Sequence, residues 1–185
     1  MVAFAYPKEL CPRRAARIHG LRSAGRGTGR SVFTIDADSA AVLKVARNAM
    51  GRAQNEVEAR TFDPEFTTTV LDHAENYDWI LSERVTPMCR LAFFERGIRK
   101  PNDLYTGICS MAHGSGNSQL PPVFARFEAF FMRNPAIMTY DAGRFSSWGL
   151  RDGIPILLDH GFTFPMNWAR EKFNTGAGGD PLEFP

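Results

Sequence analysis

Lys44 is the residue of this 185-residue chain whose type and surroundings most clearly suggest chemistry. It lies in the apolar segment AVLKVA (residues 41–46), where burying an unpaired ammonium is costly, so we expect it to have a carboxylate partner. A glycine-rich stretch, SAGRGTGRSVF, precedes it, and the helix-favouring segment AQNEVEAR follows it. A glycine turn, a strand lysine and a helical glutamate in this order commonly build a pocket for nucleotide phosphates.

Two glutamates compete for the role of partner to Lys44. Glu56 and Glu58 are two residues apart on the predicted helix, so their side chains point to opposite sides and only one can face the lysine. We take Glu56 as the candidate. Arg26 and Arg30 are the basic residues of interest, because both lie in the glycine turn.

Two aspartates in the second half of the chain are further candidates. Asp159 directly follows the apolar PILL, and a carboxylate at the end of a buried strand needs a cation or hydrogen-bond donors. A magnesium ion is one such cation. Asp141 stands before Ala-Gly, where an aspartate is also ordinary turn chemistry.

The elements that must position these residues divide the chain near Pro87. The first part is rich in predicted strand, and the second is mostly helical, with a hairpin and a tail (residues 176–185) whose glycine and proline content predicts flexibility. The predicted elements are a hairpin within residues 18–46, a helix over 49–62, a strand over 78–85, helices over 88–97 and from an Asn102 cap, a phenylalanine-striped helix from Val123 to Asn134, and a hairpin over SWGL, RDG and IPILLD. We therefore predict an α+β fold with a β-rich region at 1–85 and a helical region at 86–185.

The order of these features resembles the protein-kinase-like superfamily, and most of all the short kinase-like proteins of bacteriophages and bacteria. The resemblance covers about residues 25 to 162 and implies a two-lobe fold that binds ATP and magnesium. In it, Arg30 takes the place of the third loop glycine and His160 that of the phenylalanine in Asp-Phe-Gly. The implied site residues are Gly25, Gly27 and Val32 of the glycine loop, Lys44 on the phosphates, Glu56 as its helix partner, Glu83 to Val85 along the adenine, and Asp159 on magnesium.

The match is weakest in the catalytic loop. Asp141 is the implied residue that orients the acceptor hydroxyl, but Ser146 and Ser147 stand where a magnesium-binding asparagine is expected. Serine is a weaker metal ligand, and Ser147 is the candidate. No Ala-Pro-Glu motif follows Asp159.

Three functions are compatible with these features. The first is a minimal phosphotransferase that uses ATP and magnesium and acts on a protein or a small molecule. The second is a pseudokinase, a protein-interaction module that modulates a host or belongs to a virion and transfers no phosphate. The third is an unrelated α+β domain in which Lys44 forms a plain ion pair.

Charge, cysteine content and hydropathy exclude some classes of partner and location. A net charge of +2 is too small to indicate nucleic acid or an anionic membrane. The three cysteines form no Cys-x-x-Cys pair, and no apolar run approaches the roughly 20 residues that span a bilayer. These features favour a cytoplasmic protein, in the host cytoplasm if it is encoded by a phage.

Overall fold

The computed structural model describes residues 21–35, 39–113 and 119–163, and these form an α+β structure of two antiparallel sheets and several helices. Within these three stretches, no helix is both long and apolar enough to cross a membrane. The predicted C-terminal tail and the first residues of the predicted N-terminal hairpin lie outside the described residues.

A five-stranded sheet carries Lys44 near its centre. Its strands are β1 (Arg22–Arg26), β2 (Arg30–Thr34), β3 (Ala41–Ala46), β4 (Val70–His73) and β5 (Trp79–Glu83), in the order β1-β2-β3-β5-β4. Lys44 on β3 is opposite Val32 on β2 and Ile80 on β5. Hydrogen-bonded neighbours on both sides therefore fix the position of the lysine backbone.

The two faces of this sheet have different surroundings. Leu43 and Val45 pack with Leu21 and Phe33 in a small apolar core. Because side chains alternate along a strand, Lys44 lies on the opposite face of β3. That alternation directs the ammonium away from the apolar core.

Helix α1 (Ala49–Thr61) follows β3 and packs against it. Asn48 caps its first turn, since the side-chain oxygen accepts a hydrogen bond from the Gly51 N–H at 3.0 Å. Its buried residues recur at helical spacing, but they are small or polar instead of apolar: Gly51, Gln54, Asn55 and Glu58. The helix therefore presents a polar face to the rest of the protein.

The second part of the described chain is built around aromatic side chains. Its elements are β6 (Thr86–Pro87), α2 (Arg90–Glu95), α3 (Pro101–Ala112), α4 (Pro122–Ala125), α5 (Glu128–Arg133), α6 (Thr139–Ala142), a 3-10 turn (Phe145–Ser147), β7 (Trp148–Arg151) and β8 (Ile154–Leu157). Trp148 is fully buried and meets Phe124 and Phe127 edge to face. Strands β6, β7 and β8 form the second sheet, which carries the chain to Asp159.

Most predicted elements are present with slightly different bounds, strand β4 has no predicted counterpart, and two details are wrong. The phenylalanine stripe forms two short helices, α4 and α5, separated at Arg126 and Phe127, and its rings are core residues. Asn102 does not cap α3, because Lys100 is the cap residue and its N–H donates to the Asp103 carboxylate at 3.0 Å. The predicted turn at Asp152 and Gly153 is confirmed, with φ angles of 50° and 79°.

Gly51 allows α1 to approach the glycine turn, which in the structure is residues 27–29 between β1 and β2. A Cβ atom at Gly51 would lie 2.1 Å from the Gly29 carbonyl oxygen, a backbone atom that cannot rotate away. Helix propensity alone predicts that Gly51→Ala stabilises by about 1 kcal/mol. We expect the opposite, a loss of about 1–3 kcal/mol from overpacking, because the clash separates helix and turn.

Chemical denaturation of Gly51→Ala beside Gly25→Ala measures this effect. Gly25 is the matched control, since a Cβ there would meet no atom within 4 Å. A Gly51→Ala protein as stable as the parent would show that the turn is not packed against the helix.

Candidate functional site

A cleft of about 500 Å³ lies beside the face of the sheet that carries Lys44. One wall comes from β1, the turn that follows it, β2 and β3, through Gly25, Gly27, Val32, Val42 and Lys44. The facing wall comes from the second part of the chain, through Asp141, Arg144, Ser146, Leu158 and Asp159. The end of β5 closes one side with Glu83, Arg84 and Val85. The structure thus brings most of the predicted site residues to one cavity.

Four charged side chains meet at the inner end of this cleft. The Lys44 ammonium donates to the Glu58 Oε2 at 2.5 Å and to the Leu158 carbonyl oxygen at 2.7 Å. The Arg30 guanidinium donates from Nη2 to the Glu58 Oε1 and to the Asp159 Oδ1, each at 2.7 Å. Glu58 therefore bridges two cations, and the cluster of Arg30, Lys44, Glu58 and Asp159 carries no net charge. We call these four residues the charge cluster.

The predicted partner of Lys44 was the wrong glutamate. Glu56 lies on the solvent side of α1, where its carboxylate pairs with Arg60 at 2.8 Å. Two residues along a helix correspond to about 200° of rotation, so only Glu58 can face β3. The sequence carries no apolar stripe on this helix to show which of the two glutamates faces the sheet, because the buried residues of α1 are small or polar.

Neighbouring charges decide the ionisation of the charge cluster. Burial alone would raise the pKa of Glu58, but Arg30 and Lys44 outweigh that effect and hold its pKa well below the usual range. Burial alone would lower the pKa of Arg30, but Glu58 and Asp159 raise it above its ordinary value. Both groups are therefore charged at neutral pH.

Arg30 is, with Glu58, a residue of the site to which the sequence alone assigned no role. It opens β2, is 5% exposed, and also donates from Nη1 to the Asn55 side chain at 3.3 Å. The sequence places it in the glycine-rich stretch, but its partner Asp159 is 129 residues away. No local pattern reports such a contact.

The predicted magnesium ligands do not fit a divalent ion in this arrangement. Asp159 already pairs with the guanidinium of Arg30. Ser147 is buried, does not line the cleft, and donates its hydroxyl to the Asp141 carbonyl oxygen at 2.6 Å; Ser146 is the serine of the wall. Among the described residues, no three His, Cys, Asp or Glu side chains group as a metal site would require.

The other predicted residues line the cleft but have protein partners of their own. The Asp141 carboxylate pairs with Arg144 at 3.2 Å. Glu83 is bound by the Arg151 guanidinium and accepts from the Thr69 N–H at 3.1 Å. The hydrogen bond from Arg151 is the main reason that the pKa of Glu83 is lowered. The Glu83 carboxylate thus ties β5 to β7.

His160 is buried next to the charge cluster. It is 2% exposed, its ring lies 6.0 Å from that of Phe130, and neither ring nitrogen has a hydrogen-bond partner among the described residues. Desolvation lowers the pKa of His160 to about 4, against the opposing effect of Glu58. The imidazole is therefore neutral at pH 7.

No protein-family model matches the sequence, and a search of curated proteins found no match either.

Replacing Glu58 should destabilise the protein far more than replacing Glu56. Glu58→Gln leaves Arg30 and Lys44 buried without a shared carboxylate, and removing one partner of a buried ion pair costs about 3–5 kcal/mol. Glu56→Gln removes only a surface pair within one helix, so we expect little change. Urea unfolding of both variants checks this, and equal losses would contradict the assignment of Glu58.

The buried His160 should make stability depend on pH. Its pKa is lowered from 6.5 to about 4, so between these values the unfolded chain binds a proton that the folded protein does not. Above about pH 6.5 His160 therefore leaves the free energy of unfolding unchanged. As the pH falls from 6.5 toward 4, that free energy decreases by about 3 kcal/mol in total.

His160→Leu should remove most of the part of this decline that falls between pH 6.5 and about 5.5, where Glu58 is still largely ionised in the unfolded chain. Unfolding free energies measured at several pH values give the slope. His73→Gln is the control, because His73 is exposed. An unaltered slope in His160→Leu would assign the pH dependence to other groups.

Proposed function

We propose that this chain is a kinase-like protein that binds a nucleotide in the cleft beside its glycine turn. The observation that carries the proposal is the Lys44–Glu58 ion pair at the inner end of that cleft. A strand lysine held by a glutamate of the following helix, beneath a glycine-rich turn, is how protein kinases place the lysine that binds nucleotide phosphates.

The cleft offers separate surroundings for the two ends of a nucleotide. Val32, Val42 and Val85 supply apolar side chains for a flat base, and the backbone of Glu83 to Val85 is where the adenine would lie. Lys44 and Arg30 supply positive charge for the phosphates at the inner end. ATP is the nucleotide we propose.

A specific observation favours a pseudokinase over a phosphotransferase. The two proposed metal ligands are engaged elsewhere, Asp159 with Arg30 and the Ser147 hydroxyl with a backbone carbonyl. We therefore favour a cytoplasmic nucleotide-binding module that acts through a protein partner, in a virion or on a host factor. Labelled-phosphate transfer into a cell lysate that disappears in Asp141→Ala would instead favour the phosphotransferase.

ATP should raise the thermal stability of the protein. Ligand at 100 times its dissociation constant adds about 2.7 kcal/mol, which is several degrees for a domain of this size. Lys44→Met should weaken ATP binding, whereas Lys100→Met, which changes an exposed lysine outside the cleft, should not.

A second variant tests the same site in case Lys44→Met does not fold. Val42 lines the cleft and takes no part in the charge cluster, so Val42→Trp should fill the base site and abolish the ATP shift in a folded protein. No shift of the parent protein at millimolar ATP would overturn the proposed function. An ATP shift that survives Val42→Trp would place the nucleotide elsewhere.

A further inference from the structure

We infer that the guanidinium of Arg30 stands in for a divalent cation in this cleft, so that the chain binds nucleotide phosphates without metal. The inference rests on the proposed function and names the form of the ligand: the free polyphosphate anion in place of its magnesium complex.

The first step is the permanence of the charge. An arginine side chain does not lose its proton in proteins, and Arg30 is 5% exposed and lies 2.7 Å from both Glu58 and Asp159. A divalent ion on the same Asp159 oxygen would lie beside this buried positive charge and be repelled by it. A metal ion that took Asp159 from Arg30 would also leave the guanidinium with one carboxylate fewer, whereas an anion would supply a new partner.

The second step is the fixed position of the guanidinium. Nη2 donates to Glu58 at 2.7 Å, and Nη1 donates to the Asn55 side chain at 3.3 Å. Both acceptors belong to α1 and are fully buried. Arg30 is thus held in place independently of Asp159.

The third step is the unequal exposure of the two carboxylates. The Glu58 side chain is 1% exposed, whereas that of Asp159 is 48% exposed. Asp159 can leave Arg30 and be hydrated at little cost, but Glu58 cannot. A phosphate oxygen can take its place, because guanidinium binds phosphate through the same charge-assisted hydrogen bonds as carboxylate.

Asp159 is therefore a competitor of the ligand, which reverses the expected effect of its mutation. If Asp159 held a metal, Asp159→Asn would weaken ATP binding. If Asp159 competes with phosphate for Arg30, the same change removes a negative charge next to the phosphates and tightens binding, on the order of tenfold. The half-exposed side chain makes this variant compatible with folding.

Isothermal titration of the full chain with ATP, once in EDTA and once in excess magnesium, tests the inference. We expect the parent protein to bind ATP in EDTA at least as tightly as in magnesium, and Asp159→Asn to bind more tightly than the parent in EDTA. Asp141→Asn is the matched control, because it removes a carboxylate from the same cleft that pairs with Arg144 instead of Arg30. Its effect on affinity in EDTA should be smaller than that of Asp159→Asn.

The outcomes separate this inference from the proposed function. ATP binding that requires magnesium, or an affinity in EDTA that is unchanged or weaker in Asp159→Asn, overturns the inference and leaves the proposed function standing. No binding of ATP by the parent protein in either buffer overturns both.

Discussion

The rest of the structure depends on the carboxylate of Glu58, which is shared by Arg30 and Lys44. All three side chains are buried, so none of these charges can be left without a partner. The residues come from β2, β3 and α1, and Lys44 and Arg30 also bond Leu158 and Asp159 after β8. One carboxylate therefore fixes both where the helix lies on the sheet and how the two walls of the cleft meet.

Close backbone contacts of α1 allow the Glu58 carboxylate to reach both of its cations. Gly51 lies against the Gly29 carbonyl, and Gly161 lies against the backbone of Gln54, where a Cβ atom would be 2.4 Å from the carbonyl oxygen. The helix therefore packs closely against both the glycine turn and the segment that follows Asp159. A larger side chain at either glycine would move the Glu58 carboxylate away from its cations.

The sequence predicts features that depend on neighbouring residues, and it fails for contacts between distant parts of the chain. Apolar alternation placed Lys44 on a strand, and turn chemistry placed Asp152 and Gly153 correctly. The choice between Glu56 and Glu58 failed because α1 has no apolar stripe to show which face is buried. The Arg30–Asp159 pair joins residues 129 positions apart, and only the folded chain brings them together. Whether the fold belongs to the kinase-like superfamily stays a prediction.

The charge balance of the cleft explains why one member of the charge cluster can change partners. Lys44, Arg30 and Glu58 are held in a buried network, and the neighbouring His160 stays neutral at pH 7 because burial lowers its pKa to about 4. Asp159 is the partly exposed charge. An anion that enters the cleft can therefore replace Asp159 on Arg30 without uncovering a buried charge, whereas a cation would have to compete with a guanidinium that is already paired. On this basis we infer an anionic ligand, and not a metal ion, at the inner end of the cleft.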